Sequence, residues 1–405
     1  MYEPDDTVSS AARTQTSTAS VRTILPLAIV TCTSMLAMDL YLPAVPNLQA
    51  SLGIDVTLAQ ATISLFLAGL AASQLVWGEA LTRLGPRRCV QIGVSLLVAA
   101  SVCSALAPNI ETLLLTRFVQ GIAAGAATVV APSVIRATLP GPDAVRGIAA
   151  VSMVEALVPA AGPVIGAVLL TYTDWRGTFW LLSGLTLLVL PFVVRAAPRA
   201  LPGLDRAIDA KYSTIIANRK YRQLALSHAL SVGALLTFIA SAPQLLTHAL
   251  NRGPAGFAIL QVSSVAVFML VASQSGRISE RLGPARAVQW GAAIQLGLCV
   301  VTWVSSFLID LSLAAVTVFW CIFCGALAVR GPSAFSEALS VPASQMGRAS
   351  AMLVLSILAA GAVGTQLIAP HMDRRSTVPL MSAMLAFSMA SLWLVVPYPK
   401  GEKCS

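Results

Sequence analysis

Gly78-Glu79-Ala80-Leu81-Thr82-Arg83-Leu84-Gly85-Pro86-Arg87-Arg88-Cys89-Val90-Gln91-Ile92-Gly93 returns 198 residues later as Gly276-Arg277-Ile278-Ser279-Glu280-Arg281-Leu282-Gly283-Pro284-Ala285-Arg286-Ala287-Val288-Gln289-Trp290-Gly291. Each copy is a short basic Gly-Pro turn between two long apolar stretches, and the interval is close to half of the 405 residues. Such a repeat points to a chain built by duplication. In a membrane protein, parallel halves of this kind are an arrangement of secondary transporters.

Composition supports the membrane. The chain is 57% hydrophobic and 11% charged, with a mean hydropathy of +0.80. A soluble domain carries about 25% charged residues. The apolar residues fall into twelve blocks near the ~20 residues that a helix needs to cross a bilayer. They are 24–45, 58–78, 88–107, 110–131, 147–170, 176–194, 223–245, 257–276, 286–307, 311–332, 347–370 and 377–397. The expected fold is therefore an all-α polytopic membrane protein, with twelve transmembrane helices in two pseudo-symmetric six-helix bundles. Its expected parts are a tail at 1–23, bundles at 24–194 and 223–397, a basic linker at 195–222 and a tail at 398–405. With eleven further spans behind it, the first block reads as a span and not as a cleaved signal peptide.

Twenty of the 26 Lys and Arg residues fall in the even loops and the two tails. Four (Arg176, Arg252, Arg374 and Arg375) fall in the odd loops, and Arg117 and Arg330 lie within spans. This asymmetry obeys the positive-inside rule, which places both termini and the basic loops in the cytoplasm. The net charge of +9 thus sets topology and does not announce a nucleic-acid partner. No P-loop, dinucleotide fingerprint or Ser/His/Asp grouping is present, so an enzyme is not expected. No cofactor is expected either, and active transport would draw on an ion gradient or on a partner. Cys321-x-x-Cys324 sits mid-span without His or acidic neighbours and reads as packing. His228, His248 and His371 are scattered and form no ligand set.

Ionisable groups within spans cost roughly 2.5–3.5 kcal/mol on insertion scales and so need a reason. Asp39 and Arg117 should lie at similar depth, roughly 10 Å from the outer surface at 1.5 Å per residue, and read as natural partners. Together they suggest either a structural salt bridge or a proton-exchanging carboxylate tuned by the arginine. Glu155 should lie in the inner half, away from Asp39, as a second proton site, a counter-charge for a cationic substrate or a residue that snorkels to the surface. Arg330 reads equally well as intramembrane or interfacial. Pro43 and Pro46 should close the first span, and Pro159 and Pro163 should bend the fifth, where Gly162 and Gly166 admit a close neighbour. Small residues of the fourth span, Gly121 and Gly125 among them, should let helices approach closely. Tyr41, Gln120, Gln244 and Gln261 are candidates for the wall of a substrate cavity.

With these residues in view, the chain resembles a drug:proton antiporter of the major facilitator superfamily over nearly its whole length. More narrowly it is similar to the bicyclomycin/chloramphenicol-resistance (Bcr/CflA) branch. The resemblance rests on Met38-Asp39-Leu40-Tyr41-Leu42-Pro43-Ala44-Val45-Pro46, on Arg117 with Gln120 and Gly121, and on Pro159, Gly162, Pro163 and Gly166. It implies export of small amphipathic drugs by alternating access, with an arginine at the place of Arg117 taking part in proton transfer. With the residue reading above, Asp39, Arg117 and Glu155 are the proton-coupling candidates. It also implies gating or bending at Gly78, Arg83, Gly85, Arg87 and the fifth-span prolines and glycines. The expected partners are a small substrate, the proton and the lipid bilayer, and the expected state is a monomer. The chain departs from the family pattern at Thr82, where an aspartate is usual, and at Pro86, Val158, Ala167 and Glu155. Those departures keep two alternatives open, a dedicated exporter of a self-made metabolite and an inward proton symporter.

Overall fold

Gly85 and Gly283, the glycines of the two repeated turns, share one unusual backbone conformation: φ 75°, ψ 165° at Gly85 and φ 82°, ψ 147° at Gly283. Side-chain-bearing residues rarely occupy this region. The duplication visible in the sequence is therefore a duplication of backbone shape. The computed structural model describes residues 24–139, 141–199, 212–342, 345–372 and 376–396. The tails and the centre of the linker lie outside the described residues.

All regular structure among the described residues is helical. Eleven helical segments are long and apolar enough to cross a membrane. Val56–Ala105 is 50 residues long and contains two spans, the second and the third, interrupted at Gly85. The bundle thus makes twelve crossings. The first span is Ile24–Leu52 and the fourth Ile110–Thr138. The fifth comprises Gly141–Glu155 and Val158–Leu169, and the sixth is Arg176–Ala196. The remaining six are Arg219–His248, Pro254–Leu282, Pro284–Leu308, Leu313–Ala338, Met346–His371 and Val378–Val395.

Prolines shape the first and fifth spans, though not as the sequence suggested. Pro43 and Pro46 do not close the first span. They tighten Leu42–Ala44 into a 3-10 turn, after which the helix resumes as Val45–Leu52 and is capped by Gly53 at φ 61°. In the fifth span the interruption falls at Ala156 and Leu157, before both prolines. Pro159 brings no N–H to the carbonyl of Glu155, and its ring crowds that carbonyl, so the preceding turn yields. The helix continues through Pro163.

Packing divides the molecule by end. One large apolar cluster joins both halves at the end away from the basic loops, where Leu42, Val45 and Leu48 meet Phe238, Leu245, Leu246 and Met381. At the basic end there are two smaller clusters, each within one half. One is built around Trp77, Val90 and Val134, the other around Tyr221, Val288 and Leu353. Across the joined end, Gln60 Nε2 donates to Ala240 O at 3.3 Å, and His248 Nε2 lies 3.2 Å from Gln49 Oε1. The halves meet chiefly where the second span packs on the eleventh and the fifth on the eighth. The structure is closed at the end away from the basic loops and parted at the basic end.

The two turns differ in what surrounds them. A Cβ at Gly85 would stand 2.6 Å from Arg199 O, and the neighbouring Arg87 N–H donates to Pro198 O at 3.1 Å. A Cβ at Gly283 would meet nothing within 4 Å. Gly283→Ala should therefore cost only backbone strain, about 1–3 kcal/mol. Gly85→Ala should cost that and also displace the end of the sixth span. Melting of the detergent-solubilised protein should show a clearly larger fall in midpoint for Gly85→Ala, and equal falls would refute the docked turn.

Candidate functional site

Asp39 is the last residue of regular helix before the turn that Pro43 imposes. There the hydrogen-bond register shifts: Tyr41 N–H donates to Met38 O at 3.1 Å, three residues back. The carbonyl of Ala37, four residues before Tyr41, loses its ordinary donor. Arg117, from the fourth span, takes it with Nη1 at 3.0 Å, while its Nε donates to Thr62 O at 3.3 Å and Nη1 also to Gln120 Oε1. The guanidinium lies between the rings of Tyr41 (4.5 Å to the centroid) and Phe66 (4.4 Å). Such cation–π contacts gain strength where water is excluded.

The expected Asp39–Arg117 partnership does not form as an ion pair. Arg117 reaches the first span at the level of Asp39, but its Nε and Nη1 donate to backbone carbonyls and Gln120 and its buried Nη2 has no partner. Among the described residues Asp39 makes neither a salt bridge nor a side-chain hydrogen bond. It lines a cavity of about 440 Å³ instead. Glu155 lines the same cavity, so the two acids expected at separate depths share one chamber. Thr31, Gln74, Thr128 and Ser152 add polar points to a largely apolar wall. The chamber runs from Asp39 to Ile135 and Ile148, close to the basic ends of the fourth and fifth spans.

A second cavity of about 480 Å³ adjoins the first, and Pro159, Leu235 and Ile239 belong to both. Gln261 lines it, as do His228, Phe268, Trp320 and Phe335. Each volume suits a drug-sized molecule. Three of the four cavity-wall candidates are placed elsewhere. Tyr41 is buried under Arg117 with its hydroxyl 2.8 Å from Thr62 Oγ1. Gln120 is occupied by Arg117 and Ser101, and Gln244 is buried without a hydrogen bond on its amide. None of the three lines either cavity. Arginine and the far-end interface claim them. His228 was passed over because a lone histidine carries little signal; only the fold sets it beside three aromatic rings.

The fifth-span glycines meet the first span directly. A Cβ on Gly162 would stand 2.6 Å from Asp39 Cβ, and one on Gly166 would stand 2.4 Å from Leu40 O. Pro159 lines both cavities and Pro163 is buried. Of the turn residues, Gly78 has open space around it, and Arg83 pairs with Glu79 on its own helix at 2.7 Å. Gly85 and Arg87 dock on Arg199 and Pro198. These contacts all stay within the first half. Arg330, left open between intramembrane and interfacial, is fully buried and donates to Ser227, Gln295 and Ser391.

The sequence profile of the Major Facilitator Superfamily matches residues 27–365. The chain belongs to that superfamily. It is a transporter and not an enzyme, and it is a multi-pass membrane protein. It is 24% identical over 320 residues to the multidrug resistance protein MdtL of Vibrio parahaemolyticus, covering 78% of this chain and 81% of that protein. It is 27% identical over 236 residues to MdtL of Escherichia coli strain SMS-3-5, covering 58% and 60%. Its fold is that of a bacterial homologue of the human lysosomal transporter Spinster, solved inward-facing and occupied (TM-score 0.70, 16% identity, 92% and 94% covered). It is equally that of the POT family transporter PepTSo (TM-score 0.73, 12% identity, 93% and 96% covered).

Two tests follow from this geometry. In a double-mutant cycle of Asp39→Asn and Arg117→Lys on the stability of the solubilised protein, the coupling should stay within about 0.5 kcal/mol. A coupling of several kcal/mol would restore the ion pair. Gly162→Ala should sharply reduce transport at normal membrane abundance, because its methyl must displace Asp39. Gly184→Ala, whose methyl meets nothing within 4 Å, should be silent, and equal transport by the two variants would exclude the close contact as a constraint.

Proposed function

We propose that this chain is a proton-coupled exporter of small amphipathic molecules in a bacterial inner membrane, with both termini and the basic loops in the cytoplasm. The observation that carries the reading is Asp39. It is a buried carboxylate with no partner among the described residues, set in a drug-sized chamber that runs toward the basic end. An ion isolated in apolar surroundings is costly. A proton or a cationic substrate is what remains to neutralise it. Arg117 positions the broken first span and leaves the carboxylate free to exchange. The MdtL relatives and the resemblance to the bicyclomycin/chloramphenicol-resistance branch support drug-like cargo.

The parted basic end and the sealed opposite end fit one limb of an alternating-access cycle. Export would then require the apolar seal around Leu42, Leu245 and Met381 to open while the basic end closes. The fifth span, broken at Ala156 and Leu157 and packed on Asp39 through Gly162, is the natural element to link protonation with rocking. The two cavities lie within one chain, so a monomer suffices, and no cofactor enters. One pH unit supplies about 1.4 kcal/mol per proton, and 100 mV adds about 2.3 kcal/mol per net charge moved. One proton thus sustains a concentration ratio of roughly tens to hundreds-fold. Glu155 on the chamber wall favours a second reading, a dedicated exporter of a self-made cationic metabolite.

Inverted membrane vesicles with an imposed proton gradient test both readings. Adding a transported compound should release protons from the lumen, and Asp39→Asn should reduce that signal at least tenfold with unchanged protein in the membrane. Full activity in Asp39→Asn would remove Asp39 from coupling. Protons moving together with the compound would establish symport. Glu155→Gln should weaken cationic compounds selectively if that residue is their counter-charge.

A further inference from the structure

Pro163 lacks the N–H that the carbonyl of Pro159, four residues earlier, would ordinarily accept. The missing donor comes from the other half of the molecule: Gln261 Nε2, on the eighth span, approaches Pro159 O at 3.5 Å. That distance is at the outer limit of a hydrogen bond, so the contact is weak and replaceable. The rest of Gln261 is held firmly. Its Oε1 accepts from Trp320 Nε1 at 3.2 Å. Trp320 is itself stacked on Phe238, with centroids 3.9 Å apart and planes 18° apart, and near-parallel to Phe323 at 5.6 Å. A rigid aromatic column therefore presents one amide N–H group to the second cavity, with a poor acceptor opposite it.

The same cavity carries an unsatisfied polar group. His228 is 7% exposed, lines the cavity, and its Nδ1 has no hydrogen-bond partner. Phe335 meets its ring edge-on at 6.1 Å. No aspartate or glutamate lines this cavity. Arg330 follows directly before the lining residue Gly331 and donates to Ser227, the neighbour of His228. Its partners are Ser227, Gln295 and Ser391, all uncharged. Arg330 thus adds positive charge beside His228, which disfavours a cation there. Both acids lie in the other cavity, beyond the sill of Pro159, Leu235 and Ile239.

We propose that the cavity between the fifth, seventh, eighth and tenth spans is a subsite for an uncharged, planar aromatic group bearing a hydrogen-bond acceptor, and that Gln261 exchanges Pro159 for that acceptor when the ligand binds. The proposal deepens the export reading and rests on it for the purpose of the site. Phe268, Trp320 and Phe335 supply ring faces and edges, Gln261 the donor, and His228 a second polar contact. Loss of the Gln261–Pro159 bond removes a polar tie between the fifth and eighth spans one turn away from Gly162, which packs on Asp39. Substrate and proton then occupy separate chambers that share walls from the fifth and seventh spans.

The test uses the full chain, purified in dodecyl maltoside, with two probes of one shape. Acridone is a neutral tricycle with a carbonyl acceptor; 9-aminoacridine is a tricyclic cation at neutral pH. Fluorescence anisotropy should show saturable acridone binding, weakened at least tenfold by Gln261→Leu and by the cavity-filling Val265→Phe, with both variants monodisperse. Asp39→Asn should leave acridone affinity within twofold. The proposal is overturned by absent acridone binding, by acridone binding that both variants leave unchanged, or by tighter binding of 9-aminoacridine that depends on Asp39. Proton-coupled export of 9-aminoacridine without acridone binding would sink the subsite alone. Gln261-dependent acridone binding with no proton movement in vesicles would sink proton coupling and leave the subsite standing.

Discussion

A helix within hydrocarbon has no water to satisfy a backbone carbonyl that loses its donor. Prolines leave several carbonyls without their helical donor here, and two of them at the centre of the molecule are met by side chains. At the first span the turn ahead of Pro43 frees Ala37 O, and Arg117 fills it. At the fifth span Pro163 frees Pro159 O, and Gln261 reaches across from the other half. The first repair is charged, short and surrounded by rings; the second is neutral and long. One holds a half together and the other is easily given up.

That difference explains why Asp39 stands alone. Arg117 is committed to carbonyls and aromatic faces, so its charge is dispersed without an anion. Asp39 is left on a chamber wall under Gly162. Arg330 repeats the principle in the second half, where a buried guanidinium is held by Ser227, Gln295 and Ser391. The two arginines are not equivalent by the 198-residue repeat. Duplication preserved the turn glycines and the helix order, while the polar interior diverged.

Much of the architecture was legible in the residue string because the bilayer imposes simple rules on it. Block length marked the twelve crossings, and the Gly-Pro repeat marked the symmetry that Gly85 and Gly283 display in their dihedral angles. Asp39, Arg117 and the fifth-span glycines stood out as candidates because a charge or a small-residue stripe inside a span needs a cause. Their partners could not. Asp39 and Arg117 were correctly placed at one level, yet depth says nothing of which face of a helix a side chain occupies. Tyr41, Gln120 and Gln244 were read as cavity wall because polar residues in spans often are, and Arg117 and the far-end interface claimed them instead. His228 and Trp320 gave no local signal at all.

What the sequence by itself determined is whatever depends on one helix and its solvent: span count, the asymmetry of basic loops, the breaks that proline enforces and the left-handed turns that require glycine. These follow from local sterics and from the cost of polar groups in lipid, and neighbours do not alter them. Only the tertiary structure decided which freed carbonyl met which donor, that Asp39 and Glu155 share one chamber, and that aromatic rings from the eighth and tenth spans gather around His228 in another. Those outcomes depend on the rotation of each helix about its axis and on contacts between residues far apart in the chain, such as Pro159 with Gln261. No periodicity in the sequence records that rotation, because in lipid the face a helix turns inward is set by shape and hydrogen bonding rather than by hydrophobicity.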